Sequence, residues 1–106
     1  MTWRSFPDGR TQTMTEKFEH NSAQSRFEIH VDGTLAGHAD YTLSGDVRDF
    51  DHTVTDPAFR GQGIAGKVVG HALDQTRADG LKIRASCSYV EKFVGDRPEY
   101  QDLLAG

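Results

Sequence analysis

The segment RGQGIAGK, residues 60–67, fits three phosphate-binding patterns at once. Its glycines at positions 61, 63 and 66 give the G-x-G-x-x-G of dinucleotide folds, and Gly66-Lys67 completes most of a P-loop. A third spacing, R-x-x-G-x-A, runs from Arg60 to Ala65. Glycines at a strand-to-helix junction leave amide N–H groups free at the positive end of the helix, where phosphate oxygens bind. The rest of the chain decides among the three patterns.

Length and composition limit the architecture. The 106 residues suit one domain with one core and are too few for the two βαβαβ halves of a doubly wound fold. The net charge is -4 and the basic residues are scattered, which argues against a nucleic-acid surface. The single cysteine, Cys87, forms no intramolecular disulfide, and no apolar run approaches the length of a membrane span. We therefore expect a cytoplasmic protein that binds neither nucleic acid nor membrane.

Alternating apolar residues dominate the first half of the chain. Residues 1–13 show no apolar period, so we expect a flexible N-terminal extension there and a single domain over 14–106. The alternation predicts four strands joined by hairpin turns, at 15–20, 26–32, 35–43 and 47–54. In the fourth strand Val47 is out of phase with Phe50 and His52. This slip predicts a β-bulge near Arg48-Asp49.

A helical period follows the glycine segment. Ile64, Val68 and Ala72 fall at i, i+4 spacing, which predicts a helix over about 62–79 with a glycine stop at position 80. A fifth strand over 81–87 ends at Cys87. Ser88 and Glu91 predict a capping box for a short helix, and a last helical piece starts near position 98. The order ββββ-α-β-α-α predicts an α+β fold with a mixed, mostly antiparallel sheet flanked by helices.

This context separates the three patterns. The P-loop requires Ser or Thr after its lysine to hold magnesium, and Val68 stands there. The dinucleotide pattern opens a βαβ unit, whereas this segment follows four strands joined by hairpins. The third spacing fits its surroundings. One alternative stays open, in which the glycines only permit a tight turn and close packing of helix on sheet.

Residues 60–65 resemble the Q/R-x-x-G-x-G/A loop of the GNAT N-acetyltransferase superfamily, which lies between the fourth strand and the long helix. The segment 25–104 is similar, more closely, to the small GNAT-like proteins of the minimal or YjdJ type. The stretches that carry this resemblance are RFEIHVDGTLAGHADY at 26–41, HTVTDPAFRGQGIAGKVV at 52–69 and CSYVEKFVGDRPEYQDLL at 87–104. Val54 departs from the family pattern because glutamate is common there, and Ser88 and Arg97 replace a proline and a histidine.

The resemblance implies a GNAT-like fold, acetyl-CoA or coenzyme A as cofactor, and an amine of unknown identity as acceptor. The leading function is acetyl transfer to that amine. The absent glutamate and the small size favour an alternative, a non-catalytic module that binds or senses CoA or acyl-CoA. The residues that the resemblance places at the cofactor are Thr53, Val54, Thr55, Arg60, Gly61, Gln62, Gly63, Ile64 and Ala65.

Two residues near the loop suit acetyl transfer, which needs a neutral amine and a proton for the departing thiolate. His52 is the candidate base, because imidazole is the side chain suited to take up and release a proton near neutral pH, although it is equally a hydrogen-bonded histidine lining the sheet. Cys87 precedes a helix start and is the candidate acid or acyl carrier, although most free cysteines are small buried apolar residues. The remaining histidines have no metal-ligand spacing with Cys or acidic residues, so we predict no metal site.

Overall fold

The computed structural model describes residues 15–105. The predicted N-terminal extension, residues 1–13, lies outside the described residues, as do residues 14 and 106. The strands are β1 (Glu16–Asn21), β2 (Arg26–Val31), β3 (Thr34–Ser44), β4 (Val47–Thr55) and β5 (Lys82–Ala85). The α-helices are α1 (Ile64–Ala78) and α2 (Ser88–Gly95), and short 3-10 helices cover Ser22–Gln24, Pro57–Phe59 and Pro98–Leu103.

The five strands form one sheet in the order β1-β2-β3-β4-β5. The first four strands are antiparallel neighbours, and β5 returns parallel to β4. The predicted α+β fold with a mixed sheet is therefore confirmed. No helix within residues 15–105 is long and apolar enough to cross a membrane.

Helix α1 packs on one face of the sheet and buries the predicted apolar stripe. Its buried residues are Ile64, Val68, Val69, Ala72, Leu73 and Thr76. The absence of a side chain at Gly37 of β3 allows α1 to pack close to the sheet, because a Cβ there would lie 2.8 Å from Ile64 Cγ2 and 2.8 Å from the Val54 carbonyl oxygen. The start of α1, where the glycine segment ends, is thereby held close against β3 and β4.

The predicted bulge exists in β4, but its position was wrong. Asp40 pairs with His52, whereas Tyr41 pairs with Phe50, so Asp51 is the additional residue. Arg48 and Phe50 both point into the core. After the additional residue Asp51, the inward-facing positions of β4 are the odd-numbered ones, beginning with Thr53. The side chain of Arg48 is only 7% exposed, paired with Asp79 at 3.0 Å and stacked on two aromatic rings.

The bulge determines which side chains share a face of the sheet. Directly paired residues of antiparallel strands point to the same face. Ala39 is fully buried under α1, so its pairing partner Thr53 faces α1 as well. Asp40 and its partner His52 therefore project from the opposite side, which we call the outer face.

Strands β4 and β5 separate after four pairs. Their pairing runs from Val47 with Lys82 to Phe50 with Ala85, and the Cys87 amide then donates to the Phe50 carbonyl at 2.9 Å. Beyond that bond β5 has ended, while β4 continues to Thr55 with β3 on its other side. We call the opening beside residues 51–55 the β4–β5 gap. It connects the α1 side of the sheet with the outer face.

Candidate functional site

The glycine segment joins β4 to α1 through a tight turn. The Asp56 carboxylate accepts from the Ala58 amide at 2.9 Å and caps the 3-10 helix Pro57–Phe59. Gly61 and Gly63 then adopt positive φ angles of 85° and 72°, which side chains other than glycine rarely adopt. The two glycines turn the chain so that Gly63 becomes the N-cap of α1.

The start of α1 presents unused backbone donors. Gly63 has no side chain to cap the helix, and the first intrahelical bond is that of the Lys67 amide to the Gly63 carbonyl, at 3.1 Å. Among the amides of residues 61–66, only that of Gln62 donates to another described backbone carbonyl, that of Phe59 at 3.3 Å. Free amides at a helix N-terminus form a site for phosphate oxygens. This arrangement fits a CoA pyrophosphate, with the Gln62 amide already engaged.

The side chains of this segment agree with that assignment. Arg60 and Gln62 are exposed at its rim, Ile64 is buried and Ala65 is partly buried. Lys67 forms an ion pair with Glu16 of β1. Gly66 and Lys67, which made the segment resemble a P-loop, thus belong to the packed first turn of α1.

Cys87 lies at the β4–β5 gap, on the α1 side. Its sulfur is partly buried and 3.6 Å from the Thr53 hydroxyl of β4. Burial would raise the pKa of the thiol, but the Val90 amide, the Thr53 hydroxyl and the Tyr89 amide outweigh it and hold that pKa below its ordinary value. The thiolate fraction of Cys87 at neutral pH is therefore increased.

The predicted capping box of α2 was wrong. Cys87 rather than Ser88 is the N-cap, and the Glu91 amide donates to the Cys87 carbonyl at 2.9 Å. Ser88 is already the first helical residue. No side-chain hydrogen bond caps this helix. The Cys87 sulfur lies next to the amides of the first turn of α2, one position closer to the helix than the sequence predicted.

His52 lies on the other side of the sheet from Cys87. It is exposed, projects from the outer face, and its ring forms no hydrogen bond with any residue from 15 to 105. The sequence predicted that His52 shares the face of Phe50, and the bulge at Asp51 reverses this. His52 and Cys87 thus flank the gap from opposite sides, with Thr53 between them. Thr53, Val54 and Thr55 form the β4 wall of the gap.

Tyr89 is a candidate that the sequence undervalued, because the apolar pattern of α2 suggested core packing. Its ring is 42% exposed, and a Cβ at Gly66 of α1 would lie 3.4 Å from its hydroxyl. Beside it is a cavity of about 150 Å³ that includes Lys92 and Arg97, the latter 3.8 Å above the Phe93 ring. Asp96 also lines this cavity and pairs with Lys92 at 3.2 Å, so Arg97 and Tyr89 are the groups of this surface, next to the start of α1, that remain for a ligand.

A cluster on the outer face brings together groups that sequence spacing did not connect. Glu19, Glu28 and His30 have ligand atoms within 4.8 Å of one another. The Glu28 carboxylate already accepts from Arg26 at 2.7 Å, from Asn21 at 3.0 Å and pairs with His30 at 2.9 Å. Burial opposes these bonds, yet they lower the pKa of Glu28 to about 2. The cluster is accounted for as an ion-pair network between β1 and β2.

Comparison with known proteins agrees with this geometry. The family model described as GCN5-related N-acetyl-transferase matches residues 26–103. Protein NATD1 of Xenopus tropicalis is 28% identical over 91% of this chain and 90% of its own length, and Protein NATD1 of Mus musculus is 30% identical over 82% of this chain and 81% of its own.

Two solved structures have a similar fold. A GCN5-like protein from Staphylococcus aureus, determined by NMR in solution, aligns with a TM-score of 0.66 at 25% identity, over 85% of this chain and 88% of that one. A ribosomal-protein-alanine N-acetyltransferase from Escherichia coli aligns with a TM-score of 0.57 at 17% identity, over 67% of this chain and 49% of that one, and supports the fold alone. With a family match over most of its length and this fold, the chain belongs to the GCN5-related N-acetyltransferase family.

Proposed function

We propose that the protein uses acetyl-CoA to acetylate an amine. The observation that carries this proposal is the position of the free amides of residues 63–66 next to the β4–β5 gap, with the Cys87 sulfur inside the gap. The amides hold the pyrophosphate, and the exposed Tyr89 and the partly buried Arg97 beside them suit the remaining polar parts of the nucleotide. The unpaired edge of β4 at residues 53–55 offers backbone groups to the pantetheine arm.

The two proposed catalytic residues act from opposite sides of the β4–β5 gap. Acetyl-CoA, when bound, supplies the thioester carbonyl. His52, on the outer face, takes one proton from the acceptor ammonium, so that a neutral nitrogen attacks the carbonyl carbon. The C–N bond forms and the C–S bond breaks. Cys87, on the α1 side, gives its proton to the departing thiolate and regains one from the new amide nitrogen, which leaves an amide, CoA thiol and a protonated His52.

Cofactor binding is tested by calorimetry on two glycine variants. Gly63→Ala places a side chain at a φ of 72° in the proposed phosphate site, and Gly45→Ala creates the same kind of strain at a φ of 62° in the β3–β4 turn. Both variants lose similar stability. We expect acetyl-CoA affinity to fall about tenfold in Gly63→Ala, equivalent to about 1.4 kcal/mol, and to remain unchanged in Gly45→Ala. No binding of acetyl-CoA to the wild type at millimolar concentration contradicts the proposal.

Catalysis is tested by turnover with a panel of amines in the wild type, His52→Gln and Cys87→Ala. We expect His52→Gln to lower kcat about a hundredfold at neutral pH, in the range of a general base. Cys87→Ala should lower kcat while leaving the affinity for acetyl-CoA within a few fold. Tight binding of acetyl-CoA without turnover on any amine refutes the enzyme and supports the CoA-binding or sensing module.

A further inference from the structure

A cavity of about 270 Å³ lies on the outer face, where β3 and β4 reach the glycine segment. Two segments line it, residues 35–38 of β3 and residues 54–57 at the end of β4. Gly37 contacts Ile64 of α1, so the alternation of the strand points its neighbour His38 to the outer face. Val54 is the direct pairing partner of His38 and shares that face.

The cavity borders the same stretch of β4 that forms one wall of the β4–β5 gap. Val54 and Thr55 line the cavity, and Thr53, the preceding residue, contacts the Cys87 sulfur at the gap. His52, the proposed base, projects from the same outer face two residues before Val54. The Val54 end of the cavity is therefore the end toward His52, and the Asp56 end is the one away from it.

The walls combine an apolar floor with acceptors of positive charge. Leu35, Val54 and Pro57 contribute apolar surface, and no residue that lines the cavity is Lys or Arg. Asp56 uses Oδ1 to cap Ala58, which leaves Oδ2 for another partner. Asp40 and Glu28, the next acidic residues along β3 and β2, are already bonded to His38 and to Arg26 and His30, so Asp56 is the acidic group that the cavity offers to a cation.

His38 is fixed in one orientation. Its Nδ1 lies 2.6 Å from Asp40 Oδ1, and its side chain is 16% exposed. In the neutral form of the ring, with Nδ1–H donated to the carboxylate, Nε2 is the acceptor nitrogen. No residue among 15–105 hydrogen-bonds to Nε2. Arg26, the pairing partner of Asp40, is bonded to Glu28 at 2.7 Å and leaves the His38–Asp40 pair in place.

We propose that this cavity is the acceptor pocket and that it selects an aliphatic diamine. One amino group enters the gap beside His52, the alkyl chain lies on Leu35 and Val54, and the second, charged amino group pairs with Asp56. His38 Nε2, positioned by Asp40, accepts a hydrogen bond from the bound diamine. The proposal rests on the acetyl transfer proposed above and names its substrate class.

The length of the pocket sets the length of the diamine. Three residues of extended chain separate Thr53 from Asp56, a span of roughly 10 Å. An extended chain of four to six methylenes separates its two nitrogens by roughly 6 to 9 Å, which leaves room for one ion-pair contact. Diamines from 1,4-diaminobutane to 1,6-diaminohexane therefore fit better than 1,2-diaminoethane.

Direct binding is the first test, and it does not depend on turnover. The nitrogen-15-labelled protein, saturated with CoA, is titrated with 1,4-diaminobutane and with 1-aminobutane while amide signals are followed by NMR. We expect shifts at residues 35–38 and 54–56, with an affinity for the diamine at least tenfold above that for the monoamine. Shifts elsewhere only, or equal affinity for the two amines, overturn the proposal.

Matched variants locate the site. Leu35→Trp fills the cavity, and Leu43→Trp adds the same bulk to an exposed position of β3. Asp56→Asn removes the charge but retains the capability to cap the 3-10 helix. Diamine binding should be lost in Leu35→Trp and unchanged in Leu43→Trp, and Asp56→Asn should remove the preference for the diamine. Binding that survives in Leu35→Trp rejects the pocket.

Turnover separates this proposal from the one before it. If the wild type acetylates amines but Leu35→Trp does so with unchanged KM and chain-length preference, the pocket is wrong and the acetyltransferase stands. If the diamine binds in the cavity but no amine is acetylated, the acetyltransferase is wrong, and the binding site remains with a different role.

Discussion

The hydroxyl of Thr53 lies 3.6 Å from the sulfur of Cys87 and links β4 to the start of α2 across the gap between β4 and β5. Burial raises the pKa of the Cys87 thiol. The hydrogen bond from the Val90 amide and then this contact with Thr53 lower that pKa below its ordinary value. Thr53 also connects the two proposed catalytic residues, because it contacts Cys87 and directly follows His52 in β4.

Replacing Thr53 by valine should raise the pKa of Cys87, since valine keeps the shape and removes the hydroxyl. The pH dependence of alkylation by iodoacetamide, followed by mass spectrometry, measures that pKa. We expect a midpoint below the ordinary value of 9.0 in the wild type and a higher midpoint in Thr53→Val. Thr42→Val, which removes an exposed hydroxyl bonded to Asp51, is the control. The same midpoint in wild type and Thr53→Val would show that the hydroxyl has no effect.

Replacing Gly37 by alanine should destabilise the junction between the sheet and α1. The new Cβ would lie 2.8 Å from both Ile64 Cγ2 and the Val54 carbonyl oxygen, and neither contact is tolerated without a shift. Overpacking of this kind costs about 1–3 kcal/mol in the free energy of unfolding. Because Ile64 opens α1, the affinity for acetyl-CoA should fall as well. Urea unfolding and calorimetry measure the two effects, and normal values for both would contradict the close approach.

Replacing Arg48 by methionine should show how much this buried cation contributes to the free energy of unfolding. Arg48 pairs with Asp79 at 3.0 Å, donates to Thr76 at 3.1 Å and lies 5.2 Å from the ring centroids of Phe27 and Tyr41. The Asp79 side chain is 33% exposed and stays solvated when Arg48 is removed, so we expect the loss of this pair and of the hydrogen bond to Thr76 to cost about 1–2 kcal/mol in the free energy of unfolding. Restoring part of that loss in the double variant Arg48→Met/Asp79→Asn, measured by urea unfolding, would confirm the pair. Additive losses would contradict it.

The stability of the fold should decrease as the pH falls below 6.5. Burial lowers the pKa of both His20 and His71 below 6.5, and for His20 the positive charge of Arg48 adds to the effect. In the folded chain both rings take up protons only at a lower pH than in the unfolded chain, where they do so near pH 6.5. The unfolded state therefore binds more protons as the pH falls, and the free energy of unfolding decreases until the folded pKa values are passed.

Thermal unfolding at pH 7.5 and at pH 5.5 measures this loss. His71→Phe keeps an aromatic ring against Phe18, whose centroid lies 4.6 Å from that of His71, and removes the titrating group. The difference between the two pH values should shrink in His71→Phe and persist in His52→Gln on the outer face. An unchanged difference in His71→Phe would assign the pH dependence to other groups.

Much of the fold follows from patterns that act locally. The five strands, the stripe of α1 and the short α2 were predicted because alternation and helical spacing are set by residues close in sequence. Leu43 shows the limit of the pattern. It continues the apolar alternation of β3 but is 54% exposed, because β3 extends there beyond the area that α1 covers.

The site was less predictable because it depends on partners distant in sequence. Burial of Arg48 requires Asp79 and two aromatic rings, and hydropathy alone assigns an arginine to the surface. The bulge was misplaced because the change of phase was inferred from Val47, which is only partly buried, and His52 was thereby put on the face of Phe50. The cavity at His38 could not be predicted either, since it depends on the pairing of His38 with Val54, which the sequence does not specify.

Asp51, the bulge residue of β4, also determines which kinds of sequence change the protein can accept. Substitution of its exposed side chain leaves the pairing of β3 with β4 intact. Deletion of the residue would join Phe50 directly to His52 and restore a regular ladder, in which His52 still pairs with Asp40 and Thr53 with Ala39, so both keep their faces. Deletion of a residue after His52 would instead turn the later side chains of β4 over, because the side-chain period is two. Within this family, relatives with an active gap should therefore vary in the identity of the bulge residue and keep the number of residues between His52 and the glycine segment.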